Sequence, residues 1–189
     1  MRRRGYHSRA LTFEFRGIAR RELRAAKAIA NAAGVKQRVV RLPDLMEAGD
    51  MKRASFPGLP STYIPLRNAV FYSLAASYAE EVRAGFIVGG HNSDDLEVFR
   101  DVSPNFFDDL QRAFRAGSKI LNDRRVRILR PLALKSKPEV VLLASKIGVP
   151  LQLTWSCHRD GTRHCWHCQG CDARIRSFER AGVRDPLRR

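Results

Sequence analysis

Two periodicities alternate along this chain, and together they predict most of its elements. Ala10–Phe15 (ALTFEF) is a short run of β-branched and aromatic residues, which predicts a strand. Ile18, Leu23, Ala26, Ile29 and Ala30 follow at near-helical spacing, with Gly34 as the expected stop. Arg38–Leu42 predicts a second strand, and residues 43–63, which hold Pro43, Pro57, Gly58 and Pro60, predict a loop. A strong helical pattern starts at Arg67 (RNAVFYSLAASYAEEVRA) and leads into a buried strand in Gly85–Gly90, closed by two glycines. The polar stretch HNSDDLEVFRDVS predicts a loop, and Pro104 to about Leu121 predicts a helix. VRILRPL predicts another strand, and KPEVVLLASKIG another helix. Pro138 falls in that helix's first turn, where its missing N–H costs no hydrogen bond. A cysteine-bearing segment and a short helix, DARIRSFERAG, come last.

Strand and helix alternate repeatedly, which predicts the α/β class: a parallel sheet flanked by helices on both faces. The expected division is an α/β domain over residues 1–150 and a four-cysteine segment over 151–189. Ligands in such sheets bind outside the carboxyl ends of the strands. The loops after Phe15, Leu42, Gly89 and Leu132 are therefore where chemistry is expected.

Charge adds a partner class. Among 189 residues, 35 are Lys or Arg and 19 are Asp or Glu, a net charge of +16. That balance attracts polyanions such as RNA, nucleotides or phosphorylated substrates. No apolar run approaches the roughly 20 residues that cross a membrane. The basic start MRRRGYHSRA is not followed by an apolar signal core, so a cytoplasmic chain is expected.

All four cysteines lie in one segment, as Cys157, Cys165, Cys168 and Cys171. A C-x2-C step turns two thiolates toward one ion, a third Cys continues the knuckle, and Cys157 reaches across to complete a tetrahedral sulfur set. In a reducing compartment such a cluster is a ligand set rather than a disulfide framework, so structural zinc is expected. His158, His164 and His167 stand as substitute ligands, or as exposed loop residues.

Three further constellations carry candidate chemistry. Arg67 and Asn68 fall in the first turn of a helix, with Thr62 just before it. Free backbone N–H groups, a guanidinium and a hydroxyl together suit a phosphate or carboxylate. After the strand at Gly85–Gly90, Gly89 and Gly90 allow close backbone approach. His91, Asn92, Ser93, Asp94, Asp95, Glu97 and Asp101 supply acceptors for amino groups or Mg²⁺. Lys135 and Lys137 lie past another strand end, in reach of phosphates as point charges.

These motifs, in this order, resemble the 7-cyano-7-deazaguanine synthase family (QueC, also ExsB), PP-loop ATP pyrophosphatase-like enzymes. Thr62, Ile64, Pro65, Arg67, Asn68 and Phe71 match T-x-V-P-x-R-N-x-x-F, with Ile64 at its valine. Gly90, Asp95, Phe99, Asp101, Pro104 and Phe106 follow the next loop. Pro131, Leu132, Lys137, Glu139 and Val140 match P-L-x-x-x-x-K-x-E-[IV]. Thr154–Cys157, His164–Cys171, and Arg174, Phe178, Ala181, Gly182, Asp185 and Pro186 match the tail. The resemblance implies a nucleotide α-hydrolase-like (HUP) fold. It also implies ATP-dependent conversion of 7-carboxy-7-deazaguanine and ammonia to the nitrile, in queuosine and archaeosine biosynthesis, through adenylated intermediates. On this reading Lys137 and Asp95 are catalytic. Thr62, Arg67, Asn68, Asp94 and Asp101 bind substrate, Gly89 and Gly90 bind ATP with Mg, and the four cysteines hold structural zinc. A tRNA and a second copy of the chain, as a homodimer, stand as further partners.

The chain departs from that family at its start. No S-G-G-x-D-S loop, which cradles the ATP pyrophosphate, is present, and Glu14–Ala19 keep only the acid and the aromatic of D-Y-G-Q-R-H. In a sheet of order 3-2-1-4-5 the missing strand is central, so unpaired strand edges are expected. The expectation is a truncated reading of a longer gene, inactive toward ATP by itself, rather than a complete catalyst. Two alternatives stand beside it: a noncatalytic zinc-bearing module that binds tRNA or a deazaguanine, and a QueC-like tRNA amidinotransferase.

Overall fold

The computed structural model describes residues 5–15, 18–42, 63–119 and 126–188. Residues 43–62, where a loop and Thr62 are expected, and residues 16–17 lie outside them. The chain divides into two compact units, residues 1–54 with 141–189 and residues 55–140.

In the first unit, β1 (Arg9–Phe15) and β2 (Lys36–Leu42) pair in parallel, with Thr12 opposite Val39 and Phe13 opposite Val40. Parallel neighbours need a crossover, and α1 (Arg20–Ala32) supplies it. The helix ends as its spacing predicts, with Gly34 N–H donating to Asn31 O at 2.8 Å. After a 3-10 turn at Leu151–Leu153 and the cysteine loop, the unit closes with the helix Gln169–Ala181.

In the second unit, α2 (Arg67–Glu81) presents Asn68, Tyr72, Ala76 and Ala79 inward, a stripe at helical spacing. β3 (Phe86–Val88) and β4 (Arg127–Leu129) form a parallel pair with Ile87 opposite Ile128. Between them run a one-turn helix, α3 (Ser93–Leu96), a 3-10 turn (Arg100–Val102) and α4 (Pro104–Gly117). Tyr72, Ala76, Ala79, Ile87, Val102, Phe107 and Val126 make the core, with Phe99, Phe106, Leu110, Phe114 and Ile128 packed against it. Phe107 is 2% exposed; burying such a side chain stabilises a fold by about 1.5–3 kcal/mol. Gln111 of α4 accepts the Ile128 N–H at 2.8 Å, which covers part of the outer edge of β4. The helix α5 (Lys137–Lys146) follows β4, and Gln169–Ala181 is α6.

The fold is α/β, with parallel strands flanked by helices, as the alternation predicts. The four described strands form two separate pairs, β1 with β2 and β3 with β4. Among the described residues no helix is long and apolar enough to cross a membrane.

Candidate active site and metal centre

Because β3 and β4 are parallel, the loops leaving their carboxyl ends meet. Ser93 N–H donates to Lys135 O at 2.9 Å, and Lys137 N–H donates to the Asp94 carboxylate at 3.3 and 3.4 Å. Lys137 Nζ then lies 3.3 Å from Asp95 Oδ1 and 3.8 Å from Asp94 Oδ2. Asp95 is itself fixed, because Asn92 N–H and Nδ2 donate to its Oδ2 at 3.1 and 2.9 Å. Asn92 Oδ1 also accepts from Asp94 N–H at 3.0 Å, and Asn92 and Asp95 form the capping box that starts α3. The Lys137 side chain remains 39% exposed, so the pair adds little stability. What it provides is an ammonium held in place yet open to an incoming anion.

His91 sits at the centre of this end of the unit. Its ring centroid lies 5.8 Å from that of Tyr72 and 5.5 Å from that of Phe107, and Arg130 stands 4.8 Å over the Phe107 ring. Burial lowers the His91 pKa below its ordinary value. Asp95 and Asp101 pull it back up, while Arg130 and Arg67 push it further down. Burial thus favours the neutral imidazole, which feels the charge of two carboxylates and two guanidiniums. The sequence offers His91 only as one polar residue of a loop, and it gives no sign of Tyr72 or Arg130. Their partners come from elements far apart in the chain.

Gly89 has a steric cause: a Cβ there would fall on the Tyr72 hydroxyl. Gly90 has nothing within 4 Å of where a Cβ would stand, so its backbone borders open space. Arg67 and Asn68 do begin α2, and Arg67 is half-buried. The anion at that helix start, however, belongs to the chain: the buried Asp101 accepts the Asn68 N–H at 3.1 Å. Asp94, Asp95 and Lys137 are thus in direct contact, and Arg67 and Asp101 act on His91 by charge. Thr62 lies outside the described residues.

The cysteines form a centre within the other unit. The sulfurs of Cys157, Cys165, Cys168 and Cys171 all lie within 4.8 Å of one another, with Cys165–Cys171 and Cys157–Cys168 at 3.9 Å. No disulfide joins them. Metal–sulfur bonds of about 2.3 Å in a tetrahedron put sulfurs about 3.8 Å apart, so this donor set fits one metal ion. Cys171 lies in the first turn of α6, which starts at Gln169, three residues before the helix expected from sequence. At Gly170 a Cβ would run into Ser156 O and the His158 ring, a close approach that the sequence pattern does not disclose.

The tail motifs around the cysteines are braces. Arg174 donates to both oxygens of Asp185, at 2.6 and 2.7 Å, and to Thr154 Oγ1 at 2.7 Å, in a buried network. Trp155 Nε1 donates to Cys157 O at 2.8 Å. His158 and His167 are exposed, as expected of loop residues, but His164 corrects that expectation. It is 6% exposed, accepts the Ser156 N–H at 3.1 Å on Nε2, stacks on Trp166 and meets Trp155 at a tilt of 44°.

Residues 1–182 match the family model described as queuosine biosynthesis protein QueC. The chain is 31% identical over 194 residues to the 7-cyano-7-deazaguanine synthase of Thermoplasma acidophilum, covering 97% of this chain and 82% of that one. It is 33% identical to the synthase of Acetivibrio thermocellus, over 97% and 86% of the two chains. To that of Thermosynechococcus vestitus it is 34% identical, over 97% and 85%. The strand-end lysine and the cysteine cluster thus lie in one continuous match, and the chain belongs to the QueC family.

Proposed function

We propose that this protein serves the ATP-dependent conversion of 7-carboxy-7-deazaguanine and ammonia to 7-cyano-7-deazaguanine. The observation that carries this reading is the likeness, over 97% of the chain, to proteins named as that synthase. The geometry at the ends of β3 and β4 supports it. The substrate carboxylate is first joined to AMP with loss of pyrophosphate, and ammonia displaces AMP to give the amide. A second adenylation on the amide oxygen then allows loss of AMP and a proton to leave C≡N. Both adenylations place new negative charge on phosphate, and Lys137, oriented by Asp95 and half-open to solvent, is positioned to meet it. The open backbone at Gly90 admits a ligand closely. Arg67 and Arg130 supply positive charge for the substrate's carboxylate, Asp94 supplies an acceptor for its amino group, and Mg²⁺ arrives with the ATP phosphates.

We assign zinc to the four cysteines. The four thiolates would fill its coordination sphere, so it would supply fold rather than reaction chemistry. The free thiols and the reaction's cofactors favour the cytoplasm. Binding of the acid needs no pyrophosphate cradle and is the direct test. Calorimetry should show 7-carboxy-7-deazaguanine binding that weakens by about 1.5–3 kcal/mol in Arg67→Ala, the value of a charged hydrogen bond. Equal binding by both proteins removes Arg67 from the site.

A further inference from the structure

The charge of this protein is not evenly shared. Residues 55–140, which hold the strand-end site, carry 12 basic and 10 acidic side chains, a net charge of +2. Residues 1–54 with 141–189 carry 23 basic and 9 acidic, a net charge of +14. Chemistry on a small anionic base and ATP does not call for that excess, and the excess lies on the unit without the Lys137 site.

Within the cysteine-bearing unit, several exposed arginines are spent on the chain's own carboxylates: Arg41 on Glu14, Arg176 on Asp172 and Arg188 on Glu179. Of the exposed arginines with no ion pair to a carboxylate among the described residues, four cluster at two places. Arg20 and Arg24 lie one turn apart at the start of α1, and Arg159 and Arg163 lie in the loop between Cys157 and Cys165. Arg21 fastens these two places together. Its Nε donates to Gly161 O at 2.8 Å, and its backbone N–H donates to Asp160 Oδ1 at 3.4 Å.

A column of flat groups stands beside the same loop. The Arg21 guanidinium lies 5.9 Å from the Trp155 ring, Trp155 lies 4.2 Å from His164, and His164 stacks on Trp166 at 5.0 Å and 25°. Trp166 ends the column. It is only partly buried, and its other face has no ring partner among the described residues. Its backbone is held at φ 62°, in the left-handed region, which a bulky residue adopts only when its surroundings impose it. A half-open indole at the end of a stack, beside unpaired guanidiniums, is what an unpaired base and its phosphates require.

We propose that the cysteine-bearing unit is an RNA-binding surface. Arg20, Arg24, Arg159 and Arg163 contact phosphates, and Trp166 stacks an unpaired base of a loop or single strand. The surface uses none of the residues of the strand-end site, and the proposal does not depend on the function proposed for that site.

The test is fluorescence anisotropy with the full chain and a labelled RNA stem-loop of about 17 nucleotides. A fully paired DNA duplex of equal length and vesicles with anionic lipid serve as comparisons. The looped RNA should bind with Kd on the order of 1–10 µM at 100 mM KCl, with a log–log salt slope of about −3 for four phosphate contacts. Trp166→Ala should weaken the looped RNA about tenfold while leaving the duplex unchanged, and Trp166→Phe should keep most of the affinity. Arg20→Gln with Arg24→Gln, away from the cysteines, should weaken both nucleic acids about tenfold. Equal affinity for loop and duplex with no effect of Trp166→Ala would overturn the proposal in favour of unspecific charge attraction. Binding to vesicles alone, or to nothing at 100 mM KCl, would also overturn it. If Trp166→Ala does not fold, the Trp166→Phe and arginine variants decide. Binding of the deazapurine acid should be unchanged in the arginine pair, so this proposal and the proposed reaction fail separately.

Discussion

Tyr72 and Gly89 fit each other at the level of single atoms, and the fit has a cost. The Tyr72 hydroxyl occupies the place a Cβ would take at Gly89, yet it is buried with no hydrogen-bond partner among the described residues, and burial pushes its pKa up to about 12. A buried unsatisfied hydroxyl costs roughly 1–3 kcal/mol, so Tyr72→Phe should stabilise the protein by about 1 kcal/mol and raise its Tm. A loss of stability would show that the hydroxyl has a partner. Gly89→Ala should cost about 1–3 kcal/mol, and less in combination with Tyr72→Phe, as read by denaturant unfolding. The Arg174–Asp185 pair behaves oppositely, because both side chains are buried and fully engaged. Burial alone would raise the Asp185 pKa, but the Arg174 hydrogen bonds and the Leu187 N–H outweigh it and hold the carboxyl below its ordinary value. Its contribution to stability is therefore complete above about pH 4 and is lost as pH falls through the depressed folded value. Asp185→Ala, which leaves the guanidinium buried and alone, should cost about 3–5 kcal/mol at pH 7. His91 adds a neutral-range limb: its lowered pKa means that stability falls as pH drops below about 6.5, and His91→Gln should flatten that part of a Tm-against-pH curve.

At the scale of elements, local chemistry was legible and long-range chemistry was not. Period and stop signals found β1, α1, α2, β3 and α5, because an amphipathic face or a glycine stop is written in neighbouring residues. The loop after β3 hid a one-turn helix, though Asn92 and Asp95 carry the spacing of a capping box, because acidic residues also suit a solvated loop. The cap of α2 was out of reach altogether. Leu66, at the N-cap position, makes no side-chain cap, and the carboxylate that does the work, Asp101, lies 33 residues beyond the Asn68 whose N–H it accepts. Asp101→Ala should therefore destabilise the protein by about 1–2 kcal/mol, measured by unfolding, and shift the Asn68 amide resonance. Of the candidate site, contact between Lys137 and Asp95 was foreseeable from two loops at adjacent strand ends. The placement of His91 among Tyr72, Phe107 and Arg130 was not, since it rests on packing between α2, α4 and both strands.

For the molecule as a whole, two centres with different demands share one chain. The cysteine centre should hold about one zinc per chain, lost in Cys165→Ser or Cys168→Ser together with cooperative unfolding, because metal binding there is folding energy. Metal analysis near zero in protein made with zinc supplied would contradict the assignment. The strand-end centre is where the account places the reaction, and amide NMR of the labelled chain locates it most directly. On titration with 7-carboxy-7-deazaguanine, the Gly89, Gly90, His91, Asp95 and Lys137 amides should shift together and saturate at one affinity, and the shifts should vanish in Lys137→Ala with Arg67→Ala. Shifts confined to the residues around the four cysteines, or no shifts at all, would contradict the account.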